Sequence, residues 1–355
     1  IYLDVLDDLL AQCRRRGIYV YLTLMNEMNW SFCSDSFVAG HERVEWIFDP
    51  ALAAKSVRYV REFLDRTNRY TGVRYADDPT IAVVEIMNEP RYPALHDLRS
   101  EASLRECAAA FDAWRSEQQG DAAPEALYPA YRYELLRRYL NRMFDTVRRT
   151  GCPAPVIWNL NWPRMVNDHE DVFQAAADSA IDGVSFCCYP GQSDVASPFW
   201  AHPADLSGNN YLPYLQTCYR DYSYLRWMLG KRFEKKAKMA YEFESMYNHS
   251  AYLYPAMARL FRSLGAQIAP MWQYTLSPVA EHRAGSNYLN AYCTPRKAIS
   301  FRIASRVFAT TSRYAPFDLA ATTEMVGPKW AVSFDHDLCL WRSDDEFMHA
   351  GDVEW

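Results

Sequence analysis

The chain has 355 residues, 50% of them apolar and 23% charged, with a formal net charge of −6 and a pI near 5.8. That is a globular composition, long enough for one large domain of about 250 to 300 residues plus a smaller piece. The mildly acidic balance leaves no basic stripe for nucleic acid or an anionic membrane, and no run approaches the roughly 18 consecutive apolar residues of a membrane helix, so neither is expected as a partner.

In chain order, Leu3, Leu6, Leu9, Leu10 and Cys13 fall at helical spacing with no cap before them, and Arg14-Arg15-Arg16-Gly17 closes the helix. Ile18-Tyr19-Val20-Tyr21-Leu22-Thr23-Leu24 follows at once as a buried strand. The pattern recurs: residues 81–87, 155–161, 182–188, 238–243 and 267–273 are short apolar runs, and helices are predicted over 51–67, 131–149, 252–264 and 295–308. Strands that alternate with helices imply a parallel sheet, because each parallel connection needs a crossover of about a dozen residues or more.

Six strands are too few to close a barrel of eight, and the chain opens inside a helix with Ile1, not an initiator Met. The expected architecture is α/β: a (β/α)8 TIM barrel over residues 1–311, N-terminally truncated, with strands three to eight visible. A signal segment upstream of Ile1 would not show here, so its absence says nothing about secretion. After residue 312, Trp330-Ala331-Val332-Ser333-Phe334, the turn Asp335-His336-Asp337 and Leu338-Cys339-Leu340-Trp341 read as a hairpin opening a β-rich C-terminal module over 312–355.

The chemistry is read at the strand ends, because in a parallel barrel the loops after the strands form the mouth while the interior is packed solid. The run Ile81-Ala82-Val83-Val84-Glu85-Ile86-Met87 leads directly into Asn88-Glu89-Pro90, which carries an acid to a strand tip. A second candidate, Glu242, ends the run Lys238–Phe243. Retaining glycoside hydrolysis needs two carboxyl groups about 5 to 5.5 Å apart, one protonating the leaving oxygen and one attacking the anomeric carbon. Glu89 and Glu242 suit that demand. Glu244 lies on the same face one pleat further out, so the residues alone leave Glu242 and Glu244 both open as nucleophile. Glu85, deeper on the face of Glu89, is expected to be a structural charge paired inside the barrel.

Asn88 is a candidate for the sugar 2-hydroxyl, and Asn159-Leu160-Asn161-Trp162 at the next strand end suits hydroxyl binding. The content of 11 Trp, 25 Tyr and 17 Phe fits ring stacking on sugars, although core packing accounts for most of it. Trp162 is the best additional platform among Trp30, Trp46, Trp158, Trp162 and Trp200, each equally explained by packing. The nine cysteines contain no CxxC pair and read as mostly free core residues. The eight histidines contain no HExxH and no pair at ligand spacing, and there is no phosphate loop or GxSxG elbow, so no metal and no cofactor is expected.

At these residues the chain resembles glycoside hydrolase clan A, most of all the family 5 cellulases, mannanases and related retaining β-glycosidases, over about residues 1–310. The resemblance implies that Glu89, after Asn88, is the acid/base and that Glu242, in Glu242-Phe243, is the nucleophile, with Glu244 standing where the family often has Gly. It implies Trp272 as a sugar platform and Tyr189 as the residue touching the nucleophile. Two positions depart: Cys187-Cys188-Tyr189 replaces a frequent His-x-Tyr, and Leu24-Met25-Asn26 ends the third strand where His is frequent, leaving Asn26 as the candidate there. The function this implies is double-displacement hydrolysis of a β-linked glycan, in a protein secreted or periplasmic in habit. The alternative is a catalytically inactive carbohydrate-binding barrel, motivated by those two departures. Oligomeric state is not legible.

Overall fold

The computed structural model describes residues 2–26, 43–118, 120–161, 169–190, 206–221, 223–245, 247–280, 289–319 and 321–351. Two compact units divide the chain: residues 1–185 with 231–237, and residues 186–230 with 238–355.

The first unit alternates helices and parallel strands: α1 (Tyr2–Arg15), β1 (Val20–Met25), α2 (Pro50–Leu64), β2 (Ile81–Met87), α3 (Pro124–Arg149), β3 (Val156–Asn159) and α4 (Glu170–Asp178). β4 (Gly183–Cys188) begins here and ends in the second unit, and β5 (Ala237–Phe243) likewise has its first residue here and the rest in the second. The sheet order is β1-β2-β3-β4-β5, with β1 to β4 paired in parallel. Six of the seven β2 residues are buried, as expected of a central strand of a parallel sheet. Asp49 starts α2, its carboxylate accepting from Ala51 N at 2.7 Å and Leu52 N at 3.2 Å, with Pro50 pre-set for the first turn.

The buried stripe of α1 differs from the apolar pattern of the sequence. Asp7, Leu10 and Ala11 are inside, while Leu3 and Leu9 are exposed. Asp7 is the anchor: its carboxylate receives Arg66 Nη2 at 2.6 Å and the Tyr75 hydroxyl at 2.5 Å. Burial pushes that carboxyl up, but the bonds from Arg66, Tyr75 and the Arg69 N–H outweigh it and hold it below the ordinary value.

In the second unit, β5 leads into α5 (Leu253–Ser263), α6 (Pro295–Thr310) and an antiparallel sheet of β6 (Glu324–Val326), β7 (Trp330–Ser333), β8 (Leu338–Arg342) and β9 (Phe347–Ala350). The predicted hairpin is the β7–β8 pair, with Trp330 opposite Trp341. Its core is a ring cluster: Phe243 meets Phe261 at 5.0 Å and Tyr254 at 6.0 Å between centroids, and Tyr254 meets Phe301 at 5.9 Å.

The sixth apolar run, Gln267–Gln273, forms no ladder strand. It follows β5 through one parallel bridge, Met239 to Ile268, and isolated bonds such as Trp272 N to Phe243 O at 2.9 Å. Pro270 interrupts the run and brings no N–H to a ladder. Buried Cys107, Cys152 and Cys339 are thiols, as read from the sequence, and burial pushes Cys107 and Cys339 up to about 12.

Candidate active site

The first unit gathers a polar cluster where β1, β2 and β3 end. The last turn of chain after β2 is held from both sides. Asn88 N donates to Met25 O at 2.8 Å, which carries the β1–β2 pairing one residue past the strand. Glu89 then takes a left-handed backbone conformation, φ 45°, which a Glu adopts only where its surroundings impose it. Those surroundings are visible: Arg43 Nη1 donates to Asn88 O at 2.9 Å and Asn161 Nδ2 donates to Pro90 O at 2.7 Å, bracketing Glu89. The Glu89 carboxylate stays partly exposed, 3.6 Å from the Arg43 guanidinium.

Side chains from successive strands meet beside it. Asn159 Nδ2 lies 3.4 Å from Asn88 Oδ1, and Asn88 Nδ2 donates to Asn26 Oδ1 at 3.3 Å. Asn26, Asn88 and Glu89 are thus brought together. Asn161 belongs to the same cluster but not as an outward-facing group: it is 5% exposed, at φ 65°, with its amide on Pro90 O.

The second unit holds the other candidates. Glu242 is the second-last residue of β5, and Tyr189 follows β4; the Tyr189 hydroxyl donates to Glu242 Oε2 at 2.6 Å. A phenol donating to a carboxylate at that distance is a charge-assisted bond that favours the ionised acid and fixes its rotamer. Trp272 is 41% exposed, its backbone N–H donating to Phe243 O at 2.9 Å.

Glu244 has different surroundings. It is fully buried, and Oε1 accepts from Lys297 Nζ at 2.8 Å, the Tyr254 hydroxyl at 2.5 Å and Ser245 N at 2.6 Å. The alternation that put it on the face of Glu242 ends at Phe243 with the strand, and the carboxylate turns to α5 and α6.

Among the described residues no group of three or more His, Cys, Asp or Glu is placed to hold a metal ion, and no helix is long and apolar enough to cross a membrane.

No family model matches the chain. It is 37% identical over 103 residues to mannan endo-1,4-beta-mannosidase 3 of Oryza sativa subsp. japonica, over 25% of this chain and 21% of that one. It is 33% identical over 103 residues to mannan endo-1,4-beta-mannosidase 7 of Arabidopsis thaliana, over 25% of this chain and 22% of that one. These matches span only about a fifth of the curated relatives' length. Among solved structures, the endo-beta-1,4-mannanase of Thermotoga petrophila superposes with a TM-score of 0.58 at 16% identity, over 93% of this chain and 64% of that one. A glycoside hydrolase family 5 mannosidase of Rhizomucor miehei gives 0.53 at 15% identity, over 87% and 77%. Over about a quarter of its length the chain is thus similar to mannan endo-1,4-beta-mannosidases, and its fold is similar to that of family 5 glycoside hydrolases.

In the structure, several sequence expectations take a different form. Glu85 is buried as expected, but its partners are neutral: Tyr21, Thr23 and Ser185 hydroxyls and the Asn159 amide. Trp46 and Trp158 are fully buried, and Trp158 Nε1 donates to the Tyr92 hydroxyl at 2.8 Å, so neither offers a face to a ligand. Trp162, Trp30 and Trp200 lie outside the described residues. Arg43 escaped the sequence reading, since an Arg in an irregular stretch carries no periodic signal. Tyr21, Thr23 and Ser185 were legible in principle, as polar residues inside apolar strand runs.

Proposed function

We propose that this chain is part of a retaining β-glycoside hydrolase built on a (β/α)8 barrel, with Glu89 as acid/base and Glu242 as nucleophile. The observation that carries the reading is the 2.6 Å bond from Tyr189 to Glu242 at the end of β5, which holds one strand-end carboxylate in place for attack. Glu244, one pleat on, is occupied by Lys297 and Tyr254 and is not in competition. In the first step Glu242 attacks the anomeric carbon while Glu89 gives its proton to the departing oxygen; in the second, Glu89 takes a proton from water as that water displaces the glycosyl ester. Asn88 holds the sugar 2-hydroxyl, Trp272 stacks on the ring, and Asn26 extends the polar wall.

The proposed substrate is a β-1,4-linked mannan, the substrate that the matched mannan endo-1,4-beta-mannosidases are named for, and export from the cell follows from a polymeric substrate. In this reading residues 1–311 belong to the barrel and 312–355 open a β-rich module.

The test is covalent trapping. Incubation with 2-deoxy-2-fluoro-β-mannosyl fluoride, digestion and peptide mass spectrometry should find the fluorosugar on the peptide containing Glu242, and Glu242→Ala should abolish both label and turnover. A label on Glu244, or full turnover by Glu242→Ala, would overturn the assignment. Binding of manno-oligosaccharides without label or turnover would instead establish the inactive carbohydrate-binding alternative.

A further inference from the structure

Glu85 sits on β2, four residues before Glu89, and is 1% exposed. Its two oxygens are used unequally. Oε2 accepts from the Tyr21 hydroxyl at 2.6 Å, the Ser185 hydroxyl at 2.8 Å and Asn159 Nδ2 at 3.3 Å, whereas Oε1 accepts from the Thr23 hydroxyl at 3.1 Å. Tyr21 and Thr23 come from β1, Asn159 from β3 and Ser185 from β4, so three strands converge on one carboxyl; of these groups only Tyr21 titrates, and none carries a positive charge.

The bonds around Asn159 have one consistent direction. Its Oδ1 accepts from Asn161 N at 2.7 Å, and its Nδ2 is shared between Glu85 Oε2 inside and Asn88 Oδ1 outside. Asn88 must then present Oδ1 to Asn159 and Nδ2 to Asn26. Glu85 is the acceptor at the inner end of this chain. An apolar side chain there would leave Nδ2 of Asn159 without its inner partner, and a reversed Asn88 would offer a sugar hydroxyl the wrong atom.

We propose that Glu85 is a positioning residue for the sugar 2-hydroxyl, acting through Asn159 to fix which atom Asn88 turns to the ligand. It touches no substrate. The proposal rests on the hydrolase reading above and deepens it, because it assigns 2-hydroxyl recognition to a relay that begins inside the sheet.

Glu85→Gln keeps an oxygen at the Oε2 position and places its NH2 toward Thr23, so the relay survives; Glu85→Leu breaks it. Asn159→Asp reverses the polarity of the middle link without changing its size, and Thr23→Val removes only the donor outside the relay. The readout is kcat/KM on an aryl β-mannoside against its 2-deoxy analogue. The wild type, Glu85→Gln and Thr23→Val should prefer the 2-hydroxyl sugar to the same extent. Glu85→Leu and Asn159→Asp should lose roughly tenfold of that preference, the scale of one hydrogen bond to a developing charge.

A second readout needs no turnover: the Asn88 side-chain amide resonances should move in Glu85→Leu, or in Asn159→Asp if the former does not fold, and stay in Glu85→Gln. Equal losses on both sugars in Glu85→Leu and Asn159→Asp, or unmoved Asn88 resonances, overturn the relay while leaving the hydrolase reading intact. A wild type that hydrolyses neither sugar overturns the hydrolase reading, and the recognition role with it.

Discussion

Glu85 and Glu244 are both buried carboxyls, yet their company is opposite. Glu244 faces the Lys297 ammonium 2.8 Å away, while Glu85 has only hydroxyl and amide donors. Burial pushes Glu85 up to about 7, against the bonds from Tyr21, Ser185, Thr23 and Asn159, which favour the ionised form. The sign follows by linkage. Between the ordinary carboxyl value near 4.5 and about 7, the folded state holds a proton on Glu85 that the unfolded state has released, so stability falls as pH rises through that window. Glu85→Gln should remove that slope. Comparing denaturant unfolding at pH 5 and pH 8, the wild type should lose about 3 kcal/mol more than the variant across the window. Parallel pH profiles for the two proteins would show that Glu85 does not titrate there.

At the scale of elements, the polar ends of β1, β2 and β3 meet because the parallel register aligns them. Met25 pairs with Met87 and Glu85 with Ile157, so the residues just past each strand emerge side by side. The register of β4 depends on close approach: a Cβ on Gly183 would lie 2.5 Å from Ala237 O, which is backbone and has no rotamer to change. Gly183→Ala should therefore force β4 and Ala237 apart and destabilise the fold by about 1–3 kcal/mol, read as a lowered midpoint in urea. An unchanged midpoint would mean that the strand spacing is softer than the geometry implies. The run 267–273 marks the limit of strand reading, since an apolar stretch with Pro270 in it satisfies the pattern but not the ladder.

At the scale of the whole molecule, each compact unit has its own organising charge. In the first it is Asp7, tying α1 to Arg66 and Tyr75. In the second it is Asp337, in the β7–β8 turn, where one oxygen accepts from Ala251 N at 2.7 Å and the other from Arg296 at 2.5 Å. The antiparallel sheet is thereby bonded to the start of α5 and to α6 inside one unit. Asp337→Ala should loosen that sheet and cost about 2–3 kcal/mol, because a buried N–H and a guanidinium lose their acceptor together. Hydrogen exchange should then accelerate in β7 and β8 before it does in β5. Uniform acceleration, or none, would show that Asp337 does not hold the sheet.

Local pattern alone determined the order of the main helices and strands, the β7–β8 hairpin, and the two strand ends that carry Glu89 and Glu242, because periodicity and strand termination are properties of neighbouring residues. The tertiary structure decided what each acid faces. It separated Glu242 from Glu244, since alternation holds only while the strand lasts. It also replaced the expected charge partner of Glu85 with four neutral donors, brought Arg43 to the peptide before Glu89, turned Asn161 inward onto Pro90 and buried Asp7 in place of Leu3 and Leu9. Those outcomes depend on contacts between residues far apart in the chain, and no local pattern encodes which donor a buried carboxylate will meet.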